Sequence, residues 1–543
     1  MDGGARDLAE AEAFDYVVVG AGSAGCVVAA RLSENARASV LVLEAGGRDT
    51  HPWIHVPIGF GKTFFDERVN WCLTTEPGSA IDGRRIFMPC GRVLGGSSSI
   101  NGLVFQRGQR EDFDDWQRQG NPGWGYDDVL PFFRKMEHWQ HGEDAHRGAG
   151  GPLAVSELPD IHPLSHAFVD SAVALGHARI ADLNGAGRDG AGYFQVTVRN
   201  GRRVSSAVAF LRAAERRRNV SVRTGAEVEH LSLEGGRVTG LTYHRGGASF
   251  AVRARRSVVL CAGALHSPAI LQRSGIGRGA WLQEAGISPR HELAGVGANL
   301  HDHVQARLVL RSARHPTLNT LLQQPLRRVA AGLQYALFRR GPMTFAGGQS
   351  GGFFDSRGEG RRPDVVLLLM PLSSMDYRQG LDRFAGFSVS CGLLRPQSRG
   401  TLRVRSAQHR DPPLIQPNYL AEPADGATLV EALRHARRIA AADPIRQEID
   451  AEVRPGPDVQ SDEALLAYVR ASAGSIYHPV GTCRMGPRTD PHAVVDARLR
   501  VHGLAGLSVA DASVMPSIVS APTNATVVMI GERAADFLLQ EAR

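Results

Sequence analysis

The chain has 543 residues, 43% of them hydrophobic and 22% charged, a balance that excludes a disordered tail, a collagen-like fibre and a disulfide-stapled mini-domain. Lys+Arg exceeds Asp+Glu by 62 − 55 = 7, which sets the sequence pI near 9.3. Only Lys62 and Lys135 are lysines, the arginines are spread along the chain, and no aromatic RNP-like motif or zinc-finger spacing accompanies them, so no nucleic-acid partner is expected.

No run approaches the roughly 18 apolar residues that a membrane span requires. The N-terminal MDGGARDLAEAEAF lacks the apolar region and small-residue cleavage site of a signal peptide. Six cysteines lie scattered without CxxC spacing, which suits a reducing compartment. A cytoplasmic protein is expected, with peripheral contact to the inner face of an anionic membrane left open.

The first elements are the most informative. Tyr16–Val19 is a short β-branched run that predicts a buried parallel strand. Gly20, Gly22 and Gly25 then spell G-x-G-x-x-G, Ala24–Leu32 predicts a helix, and Ser39–Leu43 a second strand ending at Glu44. Strand, glycine turn, helix, strand and acid together make a dinucleotide fingerprint. Gly20 permits the tight turn, Gly22 lets backbone approach a pyrophosphate, and Gly25 lets the helix pack on the strand. The helix N-terminus would meet the phosphates, and Glu44 a ribose hydroxyl. With no second complete fingerprint in so long a chain, the site points to a tightly held FAD.

Further along, Val220–Arg256 predicts alternating strands with turns at Gly235-Gly236 and Gly246-Gly247, running into an apolar strand at Ser257–Cys261 and a helix near Ser267-Pro268. From about His315 to Asp458 the motifs thin out. Helices over Leu321–Phe338 and Ala427–Ala441 flank strand-like Val365–Leu369, Phe387–Gly392 and Thr401–Val404. The expected class is α/β (α+β overall): a Rossmann-like FAD-binding domain with a β-meander, plus a substrate domain on an antiparallel sheet flanked by helices. Residues 14–310, completed by 460–543, would form the first domain. Residues 311–459, with part of 150–200, would form the second.

Together with the N-terminal fingerprint, three blocks carry a resemblance: Gly91–Gly108 (GRVLGGSSSINGLVFQRG), Gly263–Gly277 (GALHSPAILQRSGIG), and the C-terminal pair Tyr477–Gly486 (YHPVGTCRMG) and Val509–Ile530 (VADASVMPSIVSAPTNATVVMI). In order and spacing the chain resembles the glucose–methanol–choline (GMC) oxidoreductases, FAD-dependent enzymes acting mostly on alcohols, and within them the choline-dehydrogenase-like and FAD-dependent alcohol dehydrogenase branch. The resemblance implies FAD contacts at Gly20, Gly22, Ser23, Gly25, Glu44, Ala45, Gly91, Gly95, Gly96, Ser97, Asn101, Gly102, Leu103, Val104, Val228, Gly263, Tyr477, Asp511, Ala512 and Thr526. Some members attach FAD through a histidine just before the asparagine. Ile100 stands there in this chain, so FAD is expected to be non-covalent.

The same resemblance makes His478 the catalytic base, taking the hydroxyl proton while hydride passes to flavin N5. Asn524, near the N-cap of an apolar-periodic stretch over Thr526–Leu539, would be its partner at the substrate oxygen, and the helix's positive end would face the flavin. His301 and His303 flank Asp302, an incomplete ligand set with no third donor nearby, so no metal is expected and a loop near the substrate cavity is read instead. Choline-specific relatives carry a glutamate where this chain has neutral Gln305, which with Tyr477 is a weak candidate for the substrate pocket and counts against choline. The expected reaction is oxidation of a primary alcohol to an aldehyde, electrons passing to a quinone or other acceptor. An oxidase that reduces dioxygen to hydrogen peroxide is the alternative, and a flavin-containing hydroxynitrile lyase a remoter one. The oligomeric state is not legible.

Overall fold

The computed structural model describes residues 11–376 and 378–542; most of the N-terminal segment read above for a signal peptide lies outside the described residues. The chain opens with β1 (Glu12–Val19), α1 (Ser23–Leu32) and β2 (Val40–Glu44). After long connections come β3 (Val220–Thr224), β4 (Glu227–Glu234), β5 (Arg237–Arg245) and β6 (Ala248–Leu260), then helix α2 (Ser267–Arg273). Next follow β7 (Val304–Ser312), α3 (Leu318–Gln323), α4 (Pro325–Phe338), β8 (Ser350–Phe354), β9 (Val365–Met370) and β10 (Gly386–Leu393). Finally α5 (Pro423–Ala440), β11 (Ile449–Arg454), β12 (Gly474–Ser475), β13 (Leu507–Val509) and α6 (Asn524–Glu541) close the chain.

The first sheet has the order β3-β2-β1-β6-β5-β4, with β13 added alongside β6. Its core is parallel: Val17 of β1 stands opposite Leu41 of β2 and Val258 of β6. Val17, Val18, Leu41, Val42, Val258 and Val259 are completely enclosed, which is why these segments read as unbroken apolar runs rather than alternating ones. α1 and α6 pack closely, where Gly531 lies against the backbone of Ala24.

The sequence predicts a meander ending near Arg256 and a separate strand after it. Both are one strand, β6, antiparallel to β5 in its first half and parallel to β1 and β13 in its second. No Gly or Pro interrupts 248–260, so nothing breaks the ladder, and a register shift between Phe14 and Tyr16 of β1 absorbs the irregularity.

The second sheet is antiparallel, in the order β8-β9-β10-β7-β11, with β12 paired to β7. The expected boundary at 310 falls inside β7, and β12 at 474–475 belongs to this sheet as well. Residues Pro163–Ala174 and Gly190–Tyr193 pack on β8. The single helix expected over Leu321–Phe338 is two. Pro325 lacks an N–H and bars the helical region to Gln324, which sits at φ −105°, ψ 106° between α3 and α4.

Candidate active site

A cavity of about 1460 Å³ lies beyond the C-terminal ends of β1, β2 and β6 and is lined on its other side by β7, β9 and β10. Parallel α/β sheets place ligands in this crevice, because helix N-termini and turn amides converge there.

At the sheet end, the glycine fingerprint has the geometry its spacing implies. Gly20 has φ +94°, and a Cβ on Gly25 would stand 1.9 Å from the Gly20 carbonyl oxygen, so the turn and α1 close on one another only without side chains. Gly22 is the N-cap of α1, with no side chain capping the helix and no acid in its first turn. Those amides are left for an anion. Glu44 accepts from the amides of Ala21 and Gly46, each at 2.8 Å, so its carboxylate braces the glycine turn as well as lining the cavity. Burial pushes its carboxyl up to about 7, against the pull of both amides.

The Gly91–Gly108 block folds against this turn. A Cβ on Gly96 would meet Gly22 Cα at 2.7 Å, and Ser97 Oγ accepts from the Gly91 amide at 3.1 Å. Asn101 is held by the buried guanidinium of Arg203, which donates to its Oδ1 at 2.6 Å and its carbonyl at 2.7 Å. Asp511 ties the C-terminal block to the middle of the chain: it accepts from the Gly263 amide at 2.9 Å, Ser267 Oγ at 2.5 Å and the Ser513 amide at 2.8 Å.

Gly20, Gly22, Ser23, Glu44, Ala45, Gly91, Gly96, Ser97, Asn101, Gly102, Leu103, Val104, Val228, Gly263, Tyr477, Asp511 and Ala512 all line this one cavity, with Ile100. Gly25, Gly95 and Thr526 do not line it. The first two shape the loops from behind, and Thr526 is fully buried within α6. His266, missed by sequence reading, lines the cavity beside Trp71 with its ring centroid 4.4 Å away. Its buried Nε2 lacks a hydrogen-bond partner among the described residues, and burial pulls the ring's pKa down to about 3. The open helix end, the Cβ-free cradle and this orphaned nitrogen fit a large dinucleotide with polar edges.

His478, Asn524 and Gln305 line the same cavity. Tyr477 has φ +67°, a strained conformation for a large side chain, secured by its amide donating to Ser475 Oγ at 2.6 Å and its ring meeting Phe64 edge-on at 4.9 Å. That turn precedes His478, whose own amide donates to Asp302 Oδ1 at 2.7 Å. Asp302 also accepts from the hydroxyls of Ser475 and Tyr419, and burial pushes its carboxyl up to about 6.

The ring of His478 is oriented by a histidine the sequence reading placed only in a nearby loop. His303 Nε2 lies 3.2 Å from the Leu394 carbonyl, which can only accept, so Nε2 carries the proton and Nδ1 is an acceptor. His478 Nδ1 lies 2.9 Å from that Nδ1 and must be the donor. The remaining nitrogen of His478, Nε2, is therefore unprotonated and basic. Burial, reinforced by the His303 ring, holds His478 well below its ordinary pKa, so it is neutral at pH 7. His301 is spent elsewhere: its Nε2 donates to the Pro396 carbonyl at 2.6 Å and its Nδ1 accepts from the Ile518 amide at 3.2 Å.

Asn524 is the first residue of α6 rather than its N-cap, which is Thr523. Its Nδ2 donates to Ser23 Oγ at 2.8 Å, which ties the start of α6 to the start of α1 beside the glycine turn. Gln305 donates to the Ser475 carbonyl at 3.2 Å and accepts from Ser390 Oγ, so it sits as a fixed neutral amide.

The sequence model described as GMC oxidoreductase matches residues 14–305, and its C-terminal counterpart residues 396–531. Mitochondrial choline dehydrogenase of Homo sapiens is 40% identical over 98% of this chain and 92% of its own. A protein of Pseudomonas putida named alcohol dehydrogenase [acceptor] is 38% identical over 97% of this chain and 96% of its own. Among solved structures, pyridoxine 4-oxidase from Mesorbium loti superposes with a TM-score of 0.87 at 32% identity, covering 96% of this chain and 98% of that one.

Proposed function

The chain belongs to the GMC oxidoreductase family of FAD flavoproteins acting on CH–OH groups, and from that premise we propose that it oxidises an uncharged primary alcohol to an aldehyde with His478 as the general base. The observation that carries this reading is the tautomer chain from Leu394 through His303 to His478, which leaves His478 Nε2 as a neutral proton acceptor on the cavity wall. General bases of this kind contribute about 10²–10⁴-fold to rate. FAD bound here supplies the two-electron acceptor for the carbinol carbon's hydride.

The chain's own residues account for the rest. The glycine turn and the α1 N-terminus would hold the pyrophosphate, Glu44 and Val228 would flank the nucleoside portion, and Gly96, Ser97, Asn101, Asp511 and Ala512 would support the remainder. Ile100 offers no nucleophile, so the cofactor is held without a covalent bond. Asn524 stands with His478 at the alcohol oxygen, and the α6 N-terminus beside it favours negative charge gathering at that end of the cavity.

The substrate is uncharged. Lys62, Arg307, Arg328 and Arg378 line the cavity, and Gln305 brings no negative charge to attract a quaternary ammonium. Electrons pass to a quinone or another acceptor; the likeness to pyridoxine 4-oxidase favours dioxygen as the second reading. Anaerobic addition of a panel of aliphatic, aromatic and furanic alcohols and choline to the FAD-loaded protein tests the reading. Bleaching of the yellow colour by an uncharged alcohol, faster than by choline, is expected, and its absence for every alcohol overturns it. Peroxide yield in air then separates oxidase from dehydrogenase.

A further inference from the structure

Most of the large apolar side chains that stand exposed fall in one arginine-bearing stretch. From residue 303 to 354 the chain has no Asp or Glu and seven arginines, of which Arg311, Arg314 and Arg340 pair with Asp450, Glu448 and Asp160 from outside the stretch. At the centre of this stretch lies α4, seated on the protein by Ala331 and by Tyr335, whose hydroxyl donates to the Gly201 carbonyl at 2.9 Å. The rest of the helix is exposed: Leu326 is 86% exposed, Leu337 72% and Phe338 68%, with Val329 and Leu333 completing an apolar stripe at helical spacing. Apolar side chains this bare and contiguous mark an interaction surface rather than scatter.

Arginines flank the stripe. Arg327, Arg328 and Arg339 form no ion pair among the described residues. An apolar stripe bordered by arginines that no acid neutralises fits the boundary of an anionic bilayer, with side chains among the acyl chains and guanidiniums among the phosphates. A second copy of the chain fits poorly, since a two-fold contact through this face would bring the same arginines together.

The stripe is continuous with the active-site cavity. Leu322 and Val329 are both exposed and cavity-lining, so the cavity opens beside α3 and α4. We propose that α4 docks the protein on an anionic phospholipid surface, its apolar stripe in the acyl boundary and the cavity mouth against the bilayer. A lipophilic molecule dissolved in the membrane then enters an apolar passage without crossing water. That consequence rests on the alcohol-oxidising reading; the docking does not.

The test uses the FAD-loaded protein sedimented with vesicles of phosphatidylcholine alone or mixed with phosphatidylglycerol. Binding that requires phosphatidylglycerol and weakens with salt is expected. Changing Leu326, Leu333, Leu337 and Phe338 together to serine, none of which lines the cavity, should lower the partition coefficient a hundredfold or more, on the order expected for several buried apolar side chains. FAD content and turnover with a water-soluble dye should be unchanged. Should that variant fail to fold, R327Q/R339Q keeps the test, with a fall of roughly tenfold to thirtyfold expected. Equal binding with and without phosphatidylglycerol, no binding, or an unaltered partition in the variants overturns the proposal. So does a wild-type dimer in solution that the four-serine variant converts to monomer.

Discussion

Replacing His303 by leucine removes the acceptor that fixes the His478 tautomer while keeping an apolar side chain of similar bulk. The wild-type pair is 2.9 Å apart, and His303 is 2% exposed, so water is poorly placed to substitute. Leaving the His478 Nδ1–H unpaired costs about 1–3 kcal/mol, a cost the ring escapes by moving its proton to Nε2. That is the wrong nitrogen for a base. The population of the competent tautomer should therefore fall about fivefold to 150-fold, each 1.36 kcal/mol being tenfold. The assay is the rate of alcohol-dependent flavin reduction under nitrogen, normalised to bound FAD. His303→Asn should recover much of the loss, because its Oδ1 can accept from His478 where His303 Nδ1 did. A His303→Leu protein that binds FAD and reduces it at the wild-type rate would refute the tautomer argument.

Three further outcomes follow from the geometry. Gly25→Ala places a Cβ 1.9 Å from the Gly20 carbonyl, a backbone clash without escape, so the purified protein should lose most of its FAD absorbance and several degrees of melting temperature. Gln305→Glu introduces a buried carboxylate on the cavity wall, and kcat/KM for choline relative to an uncharged alcohol should rise at least about tenfold; an unchanged ratio would mean that this position does not read charge. Burial chiefly brings the His303 pKa down to about 4, so the folded ring stays neutral while the unfolded chain takes up a proton below its ordinary 6.5. The protein binds fewer protons than its unfolded state in that window, so stability falls as pH drops from about 6.5 to 4, by about 3 kcal/mol from this group. Denaturant melts against pH should be flatter in His303→Leu than in the wild type across that window, and equal slopes would dismiss the assignment.

What could be read from the chain follows the range of the interactions. The glycine fingerprint is local: Gly20 and Gly25 meet within one turn, and the apolar runs of β1 and β2 record burial on both faces. His478 and Asn524 could be picked out through the family resemblance of their blocks. Their supports could not. His303 lies 175 residues from His478, Arg203 is 102 from Asn101, and neither pairing leaves a trace in composition or periodicity. The H-x-H pair around Asp302 suggests a metal set when read in isolation. In space its members diverge, His301 to backbone groups, Asp302 to the loop carrying His478, and His303 to the His478 ring. The strand β7 crossing the expected domain boundary was hidden for the same reason, since its partners β10, β11 and β12 lie far along the chain. The even spread of arginine along the sequence likewise masked the acid-free stretch around α4.

Everything proposed for the reaction turns on His478 taking the alcohol proton in a chain that holds FAD. The most direct measurement is anaerobic flavin reduction by a primary alcohol in His478→Ala, compared with the wild type at equal FAD content. Bleaching at least a hundredfold slower, with FAD still bound, is expected from the loss of a general base. Bleaching at the wild-type rate would contradict it.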